Sequence, residues 1–347
     1  MNLTYFLGAG ASANACPILK GLGEKMVELS TKYLEPELAA LLDHESNSQS
    51  LEPQELILFE IGRFGKKALQ FGTIDTYAKK LFLSNDYKNE LNKLKRAVSL
   101  FFTIWESMIN EKNIKDNFVK IDLRYISLLA SILEKTQKYV PKINQNIKFI
   151  TWNYDLQLER AYKAFCMDHD WNYVSDHLKF RINKSFKGTL DICHLNGYNG
   201  FYSTNRRSTH PNMEIDTIDR DFEDKNVYSI LKELEFVADP QKNYDLSFEN
   251  HINYAWESNA LAVKARKTAM EIFAKTDTLI IIGYSFPPFN KEIDKELFKK
   301  LNGRKTKIYY QDPNASEEFI SILTYGCDTE IHCINDRLDH FLLPYDF

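Results

Sequence analysis

No stretch of this chain is apolar for long enough to span a bilayer. The longest plainly apolar run, residues 279–283, has five residues, against about 20 for a spanning helix. Membrane association therefore has no support. A secretion leader is not expected either, because no Lys or Arg precedes Lys20 and glycines interrupt residues 2–16, so the charged segment of a signal peptide is missing. Cysteine is scarce: Cys16, Cys166, Cys193, Cys327 and Cys333 are scattered, odd in number and form no C-x-x-C pair. That pattern suits reduced thiols in cytoplasm and argues against a metal site. A basic excess is also lacking, with net charge −4 and pI near 6.1, so direct nucleic-acid binding is not expected. The one basic turn, "KKLNGRKTK" at 299–307, reads as solvated surface. The chain shows no internal repeat and no low-complexity tract.

What is present is an ordinary globular composition: 347 residues, 44% hydrophobic and 13% aromatic, enough for one large or two medium domains. "LTYFLG" reads as a short buried strand, followed by small residues opening into an amphipathic helix. Residues 35–140 carry Leu, Lys, Glu and Phe at three- and four-residue spacing, which predicts a helical insertion. "IKFITWNYD" is a second buried strand and "LQLERAYKAF" a helix. "TLDICHLNG" is a third strand, and 203–260 read as loop and short helix. The helix "ALAVKARKTAMEIFAKT" precedes a fourth strand in "DTLIIIGYSF", and "TKIYYQDPNA" and "CDTEIHCIN" supply two more. Strands alternating with helices predict an α/β fold, an open, mainly parallel sheet with helices on both faces and a large helical insertion.

Ligands of such sheets sit outside the carboxyl ends of the strands. Polar clusters fall there five times: "GAGAS" (8–12), "WNYD" (152–155), "HLNG" (194–197), "GYSF" (283–286) and "QDPN" (311–314). At Gly8 and Gly10, glycine permits positive φ and lets backbone N–H groups approach a pyrophosphate, while the next helix offers its positive dipole end. Without the third glycine of G-x-G-x-x-G, these residues equally suit a tight turn. Gly283 allows close approach and Ser285 can donate to a phosphate or ribose oxygen, or the pair is a simple strand exit. Asp312 either accepts from a ribose hydroxyl or caps a turn before Pro313.

In this order the motifs resemble the sirtuin-like NAD-binding family. Its first loop, Gly-Ala-Gly-x-Ser, is matched by Gly8, Ala9, Gly10 and Ser12. Its Thr-Gln-Asn-x-Asp signature is matched at Asn153 and Asp155, and its later Gly-x-Ser at Gly283 and Ser285. The resemblance covers under half the chain and implies a Rossmann-like NAD-binding domain of residues 1–34, 146–202 and 275–347. Insertions would occupy 35–145 (helical) and 203–274 (loop and helix). NAD would lie against Gly8, Ala9, Gly10, Ser12, Gly283, Ser285 and Asp312. Protein-deacylating sirtuins carry a four-cysteine zinc module, which these cysteines cannot build, so no metal is expected. "NYDLQLERAY" looks more like the bacterial branch, whose sirtuin-like domains destroy NAD in antiphage defence.

That branch usually has Leu-His-Gly at the third strand, the histidine serving as base. Here the triplet is Leu195-Asn196-Gly197, and asparagine cannot take a proton at neutral pH. His194 shares its strand face two residues upstream, about 6 to 7 Å further from the strand end. It is either a base working through distortion or a water, or a satisfied core residue. His210 is a further candidate. The resemblance gives Asn153 the water or ribose to orient and Asp155 the nicotinamide end, unless both merely form the turn. The implied activity is hydrolysis of NAD with release of nicotinamide, as a cytoplasmic antiphage effector triggered by a partner or ligand. A homo-oligomer or a partner defence protein is the expected means of control. The alternative is a catalytically weak or inactive NAD- or ADP-ribose-binding sensor or scaffold subunit of a defence complex, and a third is a deacylase without zinc.

Overall fold

Short apolar runs closed by glycine, asparagine or aspartate become the strands of one parallel sheet. The strands are β1 (Leu3–Leu7), the pair β2 (Leu133–Lys135) and β3 (Pro141–Ile143), β4 (Ile147–Thr151), β5 (Ile192–His194), the pair β6 (Phe201–Asn205) and β7 (Leu246–Asn250), β8 (Thr278–Ile282), β9 (Thr306–Gln311) and β10 (Thr329–Ile334). Six of them form a sheet in the order β10-β9-β8-β1-β4-β5, every pair parallel, with helices on both faces. The central strands β1 and β8 are buried along their whole length, as expected where both faces of a parallel sheet are covered.

The computed structural model describes residues 1–43, 51–84, 87–108, 121–136, 140–166, 171–181, 188–205, 226–238 and 246–345. Its helices are α1 (Leu19–Tyr33), α2 (Pro36–Ala40), α3 (Pro53–Phe71), α4 (Ile74–Phe82), α5 (Tyr87–Ser107), α6 (Leu123–Ile132), α7 (Gln157–Phe165), α8 (Trp171–His177), α9 (Val227–Glu233), α10 (Glu235–Ala238), α11 (Ala260–Phe273), α12 (Lys291–Phe298) and α13 (Glu317–Leu323). Among the described residues no helix is long and apolar enough to cross a membrane.

The chain divides into a sheet unit (1–13, 121–197, 253–347) and a helical unit (14–120, 198–252). These divisions differ from those drawn on the sequence at 34, 146, 202 and 275. The helix α1 belongs to the helical unit, where it packs along α3. The helix α11 belongs to the sheet unit, because it lays Ala265, Ala269 and Phe273 into the same core as Phe6, Ile150, Cys193, Leu279 and Ile281. Asn259 caps its first turn, accepting from the Ala262 N–H at 3.0 Å, which fixes where the helix starts. The helix α6 also joins the sheet unit, packing on α7.

Alternation along β1 sends Tyr5 and Phe6 to opposite faces. Tyr5 stacks on Phe149 at 5.0 Å, while Phe6 meets Phe273 of α11 and Phe298 of α12 edge-on at 5.5 and 6.1 Å. In the helical unit, α3 opens with a reciprocal capping box between Glu52 and Glu55, and Arg96 of α5 forks onto Glu60 of α3 at 2.7 and 2.9 Å.

Register is what positions the site. Leu7 lies level with Thr151 and with Ile282, Thr151 with His194, and Ile282 with Gln311. Five strands therefore stop at one height, and the residues after them share one rim. From β1 the chain builds outward to β4 and β5, and from β8 to β9 and β10. Adjacent strands β1 and β8 thus lead in opposite directions, the switch point where open α/β sheets form their crevice.

Candidate functional site

The rim is joined by backbone first. The Gly8 N–H donates to the Ile282 carbonyl at 3.0 Å, and the Gly10 N–H to the Gly283 carbonyl at 2.9 Å. A Cβ built on Gly8 would stand 2.5 Å from the Tyr284 Cα, and one on Gly10 2.7 Å from the Gly283 Cα. These two glycines exist so that the β1 and β8 exits can touch. Neither has positive φ, whereas Gly283 does, at +59°. This corrects the expectation for Gly8 and Gly10: close approach explains them, and their N–H groups are spent within the protein. The helix-dipole expectation also changes. The glycine loop runs into a four-residue 3-10 turn, Ala9–Ser12, and the first α-helix begins only at Leu19. Ala9 and Gly10 remain half-exposed on the rim.

Side chains then tie β4 to the loop. The Asn153 amide donates through Nδ2 to the Gly8 carbonyl at 3.0 Å and to Ser12 Oγ at 3.3 Å. Ser12 in turn donates to Asp155 Oδ1 at 2.9 Å, and Asp155 Oδ1 also accepts the Gln157 N–H at 3.2 Å. Ser12, Asn153 and Asp155 are all buried. The "WNYD" turn and the glycine loop are thus one hydrogen-bonded assembly, with Asn153 Oδ1 left uncommitted among the described residues.

The third strand contributes a satisfied histidine and an unsatisfied asparagine. His194 is buried, with Nε2 2.6 Å from Glu159 Oε1 of α7 and Nδ1 3.4 Å from the Asn153 carbonyl. Both ring nitrogens face acceptors, so the doubly protonated ring fits the site. Burial pulls the imidazolium down. The Glu159 charge and hydrogen bond, the Asn153 carbonyl and the Asp155 charge outweigh it and hold His194 above its usual 6.5. Asn196 is buried as well, yet among the described residues its Oδ1 meets no hydrogen-bond donor. A buried acceptor without a partner costs about 1–3 kcal/mol, so a ligand hydroxyl or amide placed there would recover that energy. Gly197 makes the next turn at φ +68°. His210 lies outside the described residues.

Beside the β8 exit sits a carboxyl that sequence reading missed. Asp294 of α12 accepts from the Tyr284 hydroxyl at 2.7 Å, and Asn290 Nδ2 donates to that same hydroxyl at 3.0 Å. Burial lifts Asp294 to about 7, with Tyr284 and the Trp152 indole drawing it back. The Tyr310 hydroxyl donates to the Tyr284 carbonyl at 2.9 Å, and Phe286 holds a left-handed φ of +51°. The "GYSF" loop is therefore fixed from several sides. Ser285, at its tip, is exposed. Asp312 uses Oδ1 to accept the Asn314 N–H at 2.8 Å, which closes an Asx turn. Among the described residues, no hydrogen bond joins Ser285 or Asp312 to the Ser12–Asn153 assembly.

Two more missed residues come from the start of α6. Arg124 donates through Nη2 to the carbonyls of Gly10 and Ala11 at 3.0 and 3.2 Å, while paired with Asp122 at 2.6 Å. The Tyr125 hydroxyl stands 3.2 Å from Ser12 Oγ. The one signal in the sequence is Asp122 before an apolar helical stretch, which points to a helix start and not to a target over a hundred residues away. Glu159 had a plainer signal, four residues after Asp155 on a helix. All five cysteines are free thiols. Among the described residues, no cluster of three or more His, Cys, Asp or Glu side chains could hold a metal ion.

No protein-family model matches the chain, and no curated protein matches it. Solved structures do. A Sir2 bound to an acetylated peptide is similar over 97% of this chain and 89% of its own, at 13% identity and a TM-score of 0.43. Sir2Tm bound to a propionylated peptide covers the same shares at 12% identity and TM-score 0.42. A Sir2 homolog–NAD complex aligns over 97% of this chain and 84% of its own, at 13% identity and TM-score 0.39. These values mark a distant likeness.

Proposed function

We propose that the strand-end rim binds NAD and that the protein cleaves its nicotinamide–ribose bond. The observation that carries this reading is the junction of the motif residues: Gly8, Ser12, Asn153 and Asp155 in one hydrogen-bonded assembly at the switch point, with the buried Asn196 Oδ1 lacking a donor among the described residues. In the reaction the N–C1′ bond breaks, its electron pair leaves with nicotinamide, and water captures the oxocarbenium-like ribosyl centre. ADP-ribose, nicotinamide and one proton result. Asn153 Oδ1 holds the water or a ribose hydroxyl, Asn196 Oδ1 accepts from a second hydroxyl, and Asp155 fixes Ser12 at the nicotinamide end. Gly8, Ala9, Gly10, Ser12, Gly283, Ser285 and Asp312 frame the dinucleotide. No metal is required.

His194 is a positioning residue in this scheme. With both nitrogens facing acceptors it has no lone pair for a proton, and as a Glu159-bound cation it anchors the Asn153 carbonyl. Departure of neutral nicotinamide from a cationic pyridinium needs no strong base, so the rate should vary little between about pH 6 and 8. The biological setting we propose is cytoplasmic antiphage defence, with the activity held quiet until a partner or ligand releases it. Nicotinamide release from NAD by the purified full chain, alone and with the products of its genomic neighbours, tests the reading. Loss of release in Asn153→Ala supports it; absence of release under all conditions overturns it. The amide in place of a base at position 196 favours a second reading, an NAD or ADP-ribose sensor, which binds without turnover.

A further inference from the structure

The outer edge of the sheet is an unpaired strand whose pattern is self-complementary. Among the described residues β10 pairs only with β9, and its six residues, "TEIHCI", include no proline, glycine or lysine, the residues that commonly blunt an edge. The carbonyls of Asp328 and Ile334 accept from Thr306 and Asp312 of the β9 side at 2.9 and 3.1 Å. Even-numbered residues therefore turn their backbone toward β9. By alternation Thr329, Ile331 and Cys333 turn their N–H and C=O groups outward.

We propose that this edge pairs with the β10 of a second copy of the chain, antiparallel, about a two-fold axis through Ile331. An isologous contact requires opposed residues to share a sheet face, so the axis falls on a residue, and three positions keep most of the strand paired. Centring on Glu330 sets carboxylate against carboxylate. Centring on His332 sets imidazole against imidazole and leaves Glu330 facing Ile334. Centring on Ile331 places each Glu330 opposite the other copy's His332. These two already pair along one strand, Nε2 to Oε1 at 3.0 Å, and both side chains are over 40% exposed. The same register joins the outward groups of Ile331 with Ile331 and of Thr329 with Cys333. That makes about six interchain hydrogen bonds and puts Glu330 and His332 in the closer, non-bonded positions. On the opposite face Ile331 and Cys333 pack with Ile308 and Ile320, and α13 and the turn into β10 expose Ile322 and Tyr325.

Sedimentation equilibrium on the full chain, with a disulfide trap, tests the register. The wild type should self-associate. Glu330→Lys should weaken association by about tenfold or more, and the exchange Glu330→His with His332→Glu should restore it. Thr329→Cys places a thiol opposite Cys333 of the second copy, within the Cα separation a disulfide needs, about 4.4–6.8 Å. Mild oxidation should give a covalent dimer, lost again when Cys333→Ser is added. A wild type that stays monomeric, a dimer indifferent to Glu330→Lys, or a Thr329→Cys chain that does not cross-link would each overturn the proposal. None of these readouts depends on NAD cleavage.

Discussion

At position 10 a single methyl group decides whether two loops meet. Its Cβ would stand 2.7 Å from the Gly283 Cα and 3.0 Å from its carbonyl oxygen, with backbone on that side and no flexible side chain to yield. Gly10→Ala should lower unfolding free energy by about 1–3 kcal/mol in urea titration. A change under half a kcal/mol would mean that the contact between the two exits is loose. Asp294 gives a second prediction at this scale. Its proton is bound more tightly folded, with a pKa of about 7, than unfolded, near 3.8. Stability it provides is full below about pH 4, falls as pH rises to 7, and is level above. Asp294→Asn should remove that fall, a difference on the order of 4 kcal/mol at pH 8 and none at pH 4. Equal pH dependence of Tm in the two proteins would contradict the buried-acid reading. At this scale the sequence was legible where polar residues come after an apolar run: Asn153 and Asp155 stand where "WNYD" implied. It was silent on Asp294, which sits inside an amphipathic helix like any surface acid.

Helix α6 shows what one element adds. Arg124 and Tyr125, in its first turn, reach Gly10, Ala11 and Ser12 from a start fixed by the Asp122 cap, whose Oδ1 accepts the Arg124 N–H at 3.1 Å. Arg124→Ala removes both Nη2 hydrogen bonds to the glycine loop and leaves Asp122 buried without its cation. NAD affinity measured by calorimetry should fall at least tenfold beyond any loss explained by unfolding. Unchanged affinity would show that the loop holds its shape without α6. The strands β1, β4, β8, β9 and β10 were legible because apolar runs ending in glycine or a polar turn have few other uses. The sheet strand β5 is only three residues long, shorter than "TLDICHLNG" suggested: the Asp191 carbonyl still accepts from Phe149 of β4, but its N–H already turns to the Lys179 carbonyl at 2.8 Å. The unit boundaries were not legible. Amphipathic periodicity marks that α1 and α11 bury one face, and says nothing about whether that face meets α3 or the sheet.

Across the whole molecule, the buried His194–Glu159 pair and Asp294 act in the same direction with pH. A histidine whose folded pKa is raised adds stability that is complete below 6.5 and lost as pH climbs through the folded value; the raised carboxyl of Asp294 also loses stability on the alkaline side. Thermal unfolding should therefore show Tm falling as pH rises from about 4 to 7 through Asp294 and again above 6.5 through His194, and Glu159→Gln should lower Tm most at the acid end, where the ion pair is complete. A Tm that rises across this range would contradict the charge states assigned to both groups. The central claim is that the strand-end assembly is an NAD site, and calorimetric titration of NAD into the full chain measures it most directly. One saturable site is expected, weakened at least tenfold in Asn153→Ala with the fold intact. No binding, or equal affinity in the two proteins, would contradict it.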